Sequence, residues 1–404
     1  MKTFHIPSVL FPLLAILSAG AALAQPQNHH IAIPDIPGHK TLQCDFHMHT
    51  TLSDGTVWPT VRVDEAYREG LAAIALTDHF ESRRHIRGLL DDQGPVHDNP
   101  SHNPSHNRGY EIAKPLADER GVILIRGAEL APGGMPPGHF NVLFLKDCDA
   151  LAKGNWARIG VKSGSRPKDW WPHALAEAKR QNAFFVWNHP GWDAQAPEVT
   201  RWWPMHTELY DKGYMQGIEV ANSGDYYKEA FQWALEKKLT LLGGSDFHGP
   251  VQSNIDFARG EHRTITLVFA KERTAEAIRE ALDNRRTAVF NKQSLIGEDK
   301  WLRAIFESSI EMDIKRAPGR ATLRIKNNSG LLFRLAKTAH DERVVYFREY
   351  EIKPHSLHTI SVKVPDDLAD AEVNFEITNL LASPDKGLDY TVKIPKAPAP
   401  AAGN

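Results

Sequence analysis

An α/β barrel followed by a small C-terminal β-sandwich is the fold this sequence predicts, on three observations. Short apolar runs alternate with helix-like stretches from residue 41 to about 298. Nearly every one of those runs ends in His, Asp or Glu. From about 299 the pattern changes to period-two alternation and the helical stretches largely vanish.

Residues 1–24 read as a secretory signal peptide. Lys2 gives a short positive start, 9–17 an apolar centre, and Ala22-Leu23-Ala24 a small-residue cleavage site. The apolar run is interrupted by Pro12 and falls short of the roughly 20 residues an anchor needs. The expected product is exported across the inner membrane to the periplasm, with no stable membrane insertion once the signal is removed. Residues 25–40 have no period and read as a linker. The strand-like runs are 42–46, 72–76, 122–125, 140–145, 183–187, 217–220 and 239–242. The helical stretches include 59–69, 109–120, 172–181, 226–237 and 274–283. Seven such units suit a barrel, residues 41–298. Residues 299–395 read as the β-sandwich, and the KAPAPAAGN tail, 396–404, as disordered.

Composition limits the function classes. Of 404 residues, 42% are hydrophobic, enough for a large core, and the net charge is −2. No basic excess points to nucleic acid. Cys44 and Cys148 are the only cysteines and read as buried free thiols.

The charged run ends carry the chemistry. In CDFHMHTTLSDG, His47 and His49 are i and i+2 on a strand, so both rings face one side. Asp54 precedes Gly55 in a turn that can swing its carboxylate back over the barrel mouth. His79 ends the second run after Asp78, which is placed to support its ring. Glu129 ends the third run, where a buried carboxylate is costly without a cation. His139 opens the fourth run and His189 closes the fifth. Asp246 and His248 repeat the i, i+2 device in GGSDFH. In a barrel, strand C-termini gather at one face, so these distant residues would meet.

In this order, HMHTTLSDG, TDH, GAE, GHF, NHP and SDFH resemble the motifs of the PHP (polymerase and histidinol phosphatase) superfamily, over residues 42 to about 290. The resemblance implies a distorted (β/α)7 barrel with two or three divalent ions (Zn, Mn or Fe) and phosphate ester cleavage by metal-activated hydroxide. It implies a first ion on His47, His49, Glu129 and Asp246. Glu129 would bridge to a second ion on His139 and His189, and a third would take Asp54, His79 and His248. Asp246 or His248 would manage the proton, and Glu129 would be indispensable. An amidohydrolase-type centre fits less well, since it usually bridges its ions through a modified Lys and ends on a lone Asp. No nucleophile elbow, P-loop or dinucleotide fingerprint occurs.

Substrate contacts are expected from Arg83, Arg84 and Arg108 in the long insert after the second run, and from Arg263 near the last motif, because Arg forks match phosphate. Trp192 is expected to wall the pocket. The predicted substrate is a small phosphate ester, a monoester ahead of a diester. The alternatives are a hydrolase or lyase for a non-phosphorylated substrate, or a barrel that binds metal and ligand without turnover.

Overall fold

The computed structural model describes residues 29–81, 105–152, 170–192, 200–338, 341–368 and 370–396. The signal peptide, Arg83, Arg84 and most of the tail lie outside the described residues.

Strands β1 (Lys40–Asp45), β2 (Ala73–Leu76) and β3 (Ile123–Leu130) pair in parallel, with α1 (Pro59–Arg68) and α2 (Arg108–Arg120) as crossovers. Pro59 starts α1, where its missing N–H costs nothing. Gly121, at φ 67, caps α2. The next strand, β4 (Phe140–Leu143), follows β3 through a 131–139 connection without a helix and runs antiparallel to it, and it is antiparallel to β5 (Phe184–Trp187) as well. After α3 (Trp170–Arg180), which precedes β5, parallel pairing resumes from β5 to β6 (Gly217–Asn222) and from β6 to β8 (Thr240–Gly244), with α4 (Pro204–Asp211) and α5 (Lys228–Lys237) as the crossovers. A two-residue strand, β7 (Asp225–Tyr226), folds back on β6.

On the other side of β1, an antiparallel meander follows: β9 (Ile265–Ala270), β10 (Thr287–Asn291) and β11 (Ser294–Gly297), with α6 (Ala275–Asp283) after β9. The sheet is therefore mixed, not the largely parallel one expected. It curls: Leu42 and Cys44 of β1 share an interior cluster with Ile125, Phe184, Leu242 and Val268. No continuous strand ladder closes it among the described residues. Thr266 Oγ1 instead stitches β9 to β8, accepting from Gly243 N–H and donating to its carbonyl. Beyond the strand ends, Asp246 N–H donates to His47 O (2.8 Å) and His49 N–H to Phe247 O (3.0 Å).

The last helix, α7 (Asp299–Ser309), runs directly into β12 (Ile310–Ala317). Strand β12 pairs with β13 (Arg320–Asn327), and β13 with β16 (Leu357–Lys363). The facing sheet holds β14 (Phe333–Lys337), β15 (Glu349–Ile352), β17 (Ala371–Ser383) and β18 (Lys386–Ile394). Alternate residues of β13, among them Ala321, Leu323 and Ile325, are fully buried, which is the period-two pattern of a sheet with one face inward. The two units share a sheet, because Leu295 and Ile296 of β11 pair in parallel with Leu380 and Leu381 of β17. Phe306 of α7 packs edge-on against Phe333 and Tyr390, and burying one such ring contributes roughly 1.5–3 kcal/mol.

The described part of the expected linker, residues 29–40, packs against the body. Ile31 and Ile36 are buried, Ile31 O accepts from Gln43, and Ala32 O accepts from Gly330 N–H of the sandwich. Among the described residues, no helix is long and apolar enough to cross a membrane.

Candidate metal centre

The backbone that delivers the donors is unusual at two of them. His189, at φ 26, and Asp246, at φ 54, hold left-handed conformations rare for side-chain-bearing residues. Both lie at the ends of strands, β5 and β8, where the chain turns sharply and aims the side chain inward. The 50–57 loop folds over the strand ends because Gly55 has no side chain. A Cβ there would meet the backbone of His49 and Thr50 at 2.8 Å. Asp54 is thereby held near three rings, its carboxylate 3.3 Å from His248 Nε2 and 3.6 Å from both His49 Nδ1 and His79 Nε2.

All nine expected donors come together. Four groups have every donor atom within 4.8 Å: His49, Asp54, His79 and His248; His47, His49 and Glu129; His47, His189 and Asp246; His79, Glu129 and His139. Glu129 is the hub. Its two oxygens lie 3.1–3.5 Å from His47, His49, His79, His139 and His189. The grouping differs from the expected one in three respects: His49 also joins Asp54, His79 and His248, His139 groups with His79, and His189 groups with His47 and Asp246.

The arrangement fits cations. Nδ1 of His47 donates to Glu219 Oε1 at 2.8 Å, so its Nε2 lone pair faces inward. That lone pair looks at Asp246 Oδ1 (3.3 Å) and Glu129 Oε1 (3.5 Å), and Nε2 is buried without a hydrogen bond. Lone pairs and carboxylates facing one another in the interior repel unless a positive charge lies between them. Protons are the alternative charge. Burial pulls His79 down, but Glu129, Glu81 and Asp54 outweigh it and raise the ring to about 10. Burial likewise opposes the charge on His47, and Asp246, Glu219 and Glu129 together hold it well above its ordinary value. Glu129 is driven well below the carboxylate range: burial opposes this, and His79, His47 and His139 prevail.

Several positioning residues escaped the sequence reading. Glu219, on β6, also accepts from His189 N–H (2.8 Å) and Asn222 (2.9 Å), and Asn188 donates to Glu129 Oε1 (2.9 Å). Arg62 of α1, fully buried, donates to the carbonyls of His49 (2.9 Å) and Phe247 (2.6 Å). An acid inside the apolar run GIEVAN was the available signal for Glu219. Arg62 left none.

Other expectations need correction. Asp78 does not hold His79; it accepts from Thr50 N–H, Thr50 Oγ1 and Ser53 Oγ and so pins the 50–53 turn. Arg263 is not an open anion contact. It is 1% exposed and its guanidinium is taken up by Glu69 and Asp45, at 2.8 and 3.0 Å. Asp45 in turn accepts from the N–H groups of His47 and Ser245, each at 3.2 Å, so Arg263 braces the centre from below. Arg108 begins α2, half-exposed beside Glu111 at 3.6 Å, and joins none of the donor groups. Trp192 stands at the rim, its ring 5.3 Å from His189 and 5.9 Å from His139, and it is 46% exposed. Trp187 is core, stacked with Trp233. Cys44 and Cys148 are both buried and not disulfide-bonded to each other, and Cys148 Sγ donates to Gly127 O.

Clustered oxygen and nitrogen donors at the ends of α/β strands, able to hold metal, define a metal-dependent hydrolase. A crystal structure from Bacteroides vulgatus, a two-domain protein containing a predicted PHP-like metal-dependent phosphoesterase, is 46% identical, with a TM-score of 0.80 over 90% of this chain and 98% of that one. The chain belongs to the PHP-like metal-dependent phosphoesterase family. An Ig-like domain family (DUF5001) matches residues 309–393 and identifies the sandwich. A putative metal-dependent phosphoesterase from Bifidobacterium adolescentis is 17% identical over 52% of this chain and 90% of that one, with a TM-score of 0.37. An amidohydrolase from Chromobacterium violaceum is 18% identical over 52% of this chain and 88% of that one, with a TM-score of 0.34. No curated protein matches.

Proposed function

We propose that this chain is an exported, periplasmic phosphoesterase that hydrolyses small phosphate esters at a centre of two or three divalent ions, in a barrel-like sheet distorted from (β/α)7. The observation that carries the reading is Glu129, a fully enclosed carboxylate ringed by five imidazoles. The ions would be held by His47, His49, Asp54, His79, Glu129, His139, His189, Asp246 and His248, a mixed set suited to Zn, Mn or Fe. When bound, they would neutralise phosphate charge and make water a nucleophile at neutral pH.

The chain's own residues do the rest. Glu219 and Asn188 fix the inner donors, while Asp45 and Arg62 fix the backbone that carries them. His248 is the most exposed donor, at 40%, with Nδ1 tied to Asp246 O (2.8 Å). Asp246 or His248 is therefore placed to pass a proton between solvent and the reacting oxygens. Trp192 offers an aromatic wall to the substrate on the His139 and His189 side of the rim. Monoesters rank ahead of diesters because their second negative charge draws more from a cationic centre. With a net charge of −2, nucleic acid is not expected as a partner.

The test is elemental analysis of purified protein, then a panel of phosphomonoesters, diesters, lactones and amides. Metal-dependent monoester hydrolysis is expected, falling at least about a hundredfold in Glu129→Ala and Asp246→Ala. Full metal occupancy with turnover of lactones or amides alone would instead favour the same donors acting on a non-phosphorylated substrate. Full occupancy without any turnover would favour a binding protein.

A further inference from the structure

A cleft of about 780 Å³ starts at Asp246 and His248 and ends at Arg334 on β14 of the Ig-like domain. Its volume suits a whole small molecule, well beyond one phosphate group. The two domains therefore wall one cleft, which Asp246 and His248 of the nine proposed donors share with Arg334 of the sandwich.

The far end is cationic. Lys292 and Gln293 form the turn between β10 and β11, and both line the cleft. Lys292 has no carboxylate partner among the described residues. Its backbone is left-handed, at φ 56, where Gly or Asn would be the unstrained choice. Its side-chain stem lies over Gly224, at φ 90, and a Cβ on Gly224 would sit 3.2 Å from Lys292 Cε. Arg334 is aimed by a 2.6 Å hydrogen bond from Nη2 to Gln293 Oε1, and its nearest carboxylate, Glu351, is 3.8 Å away. Asn379 fastens this corner, donating to Gln293 O and Leu332 O and accepting from Arg334 N–H. Three other charged side chains line the wall and are already engaged: Arg259 with Asp256 at 3.2 Å, Arg263 with Glu69 and Asp45, and Glu261, which accepts from Asp256 N–H at 2.9 Å.

We infer that Lys292 and Arg334 form an anion subsite for the leaving group, so that the substrate is a phosphate ester whose leaving group bears a carboxylate. The planar fork of Arg334 matches the two oxygens of a carboxylate, and the Lys292 ammonium adds an unpaired charge on the same cleft wall. The Ig-like domain is thus a specificity element of the catalytic unit. This rests on the phosphoesterase reading above.

The test uses full-length, metal-loaded enzyme and ω-carboxyalkyl phosphates of increasing chain length, each against the plain alkyl phosphate of equal length. At one length, kcat/KM for the carboxylated ester should exceed that of its partner about tenfold. Lys292→Gln and Arg334→Gln should each reduce that ratio severalfold, through KM. Equal kcat/KM for the two series at every length, or variants that leave the ratio intact, would overturn the subsite. Absence of any alkyl phosphate turnover would count against the phosphoesterase reading alone. The subsite is then read by calorimetric titration with ω-carboxyalkyl phosphonates, where the double variant should bind severalfold more weakly than the unaltered protein. Equal binding would reject it.

Discussion

Glu219 Oε1 accepts a hydrogen bond from Nδ1 of His47 at 2.8 Å, with both side chains in the interior. The pair sets the His47 tautomer and leaves Nε2 directed at the centre. Glu219 touches none of the proposed ions, so its effect is on affinity and orientation. Glu219→Gln keeps the size and loses the charge. Metal affinity or activity is expected to fall about 10- to 100-fold. Competitive metal titration checks this, and an unchanged affinity together with unchanged kcat would reject the role.

Gly244, the last residue of β8, lies against the same pair. A Cβ there would stand 2.4 Å from Glu219 Oε1 and 2.6 Å from His47 Cβ. Gly244→Ala is therefore expected to lower stability by about 1–3 kcal/mol and to reduce metal content in parallel. Denaturant unfolding and elemental analysis of the variant provide the measurement. A folded variant with full metal content would show that strand β8 can move aside without cost.

The cluster was legible from sequence because its members recur at the ends of apolar runs, at the start of one (His139) and in an adjoining turn (Asp54), a pattern no single residue would have revealed. The reversal of β4 was not legible, since apolar runs look alike in parallel and antiparallel sheets. Nor was the brace of Arg263 with Asp45 and Glu69, which joins residues far apart in the chain. Arg263 looked like a phosphate contact because sequence shows its nearness to SDFH and hides its burial. The shared sheet of β11 and β17 escaped for the same reason: long-range pairing leaves no local pattern.

The carboxylates around His79 raise it to about 10, and those around His47 hold it well above its ordinary value. A group with a raised pKa is still protonated at pH 7.5, whereas a free imidazole of pKa about 6.5 would be largely neutral. Cations must displace those protons. Loading metal-free protein at pH 7.5 is expected to release about one to two protons, and apparent affinity should fall as pH drops. Calorimetry in buffers of different ionisation enthalpy counts them. Zero release would mean the imidazoles were already neutral and the carboxylate crowding less severe than the geometry implies.

His206 acts at a distance from the ions, through the loop that leads to His139. It is fully buried, its Nε2 donates to Pro137 O at 2.8 Å, and its Nδ1 accepts from Trp203 N–H at 3.1 Å. Both nitrogens are satisfied only in the neutral ring, and burial pushes the pKa down to about 4. The unfolded chain takes up this proton below about pH 6.5 and the folded one not until about 4. The contribution to stability is whole above pH 6.5 and is lost progressively as pH falls toward 4, up to about 3 kcal/mol. Urea unfolding of metal-loaded protein at pH 7.5 and pH 5 should show that loss, and His206→Gln, which cannot titrate, should show a smaller one. Equal pH dependence in the two proteins would place the acid sensitivity in the metal donors and not in the loop that presents His139.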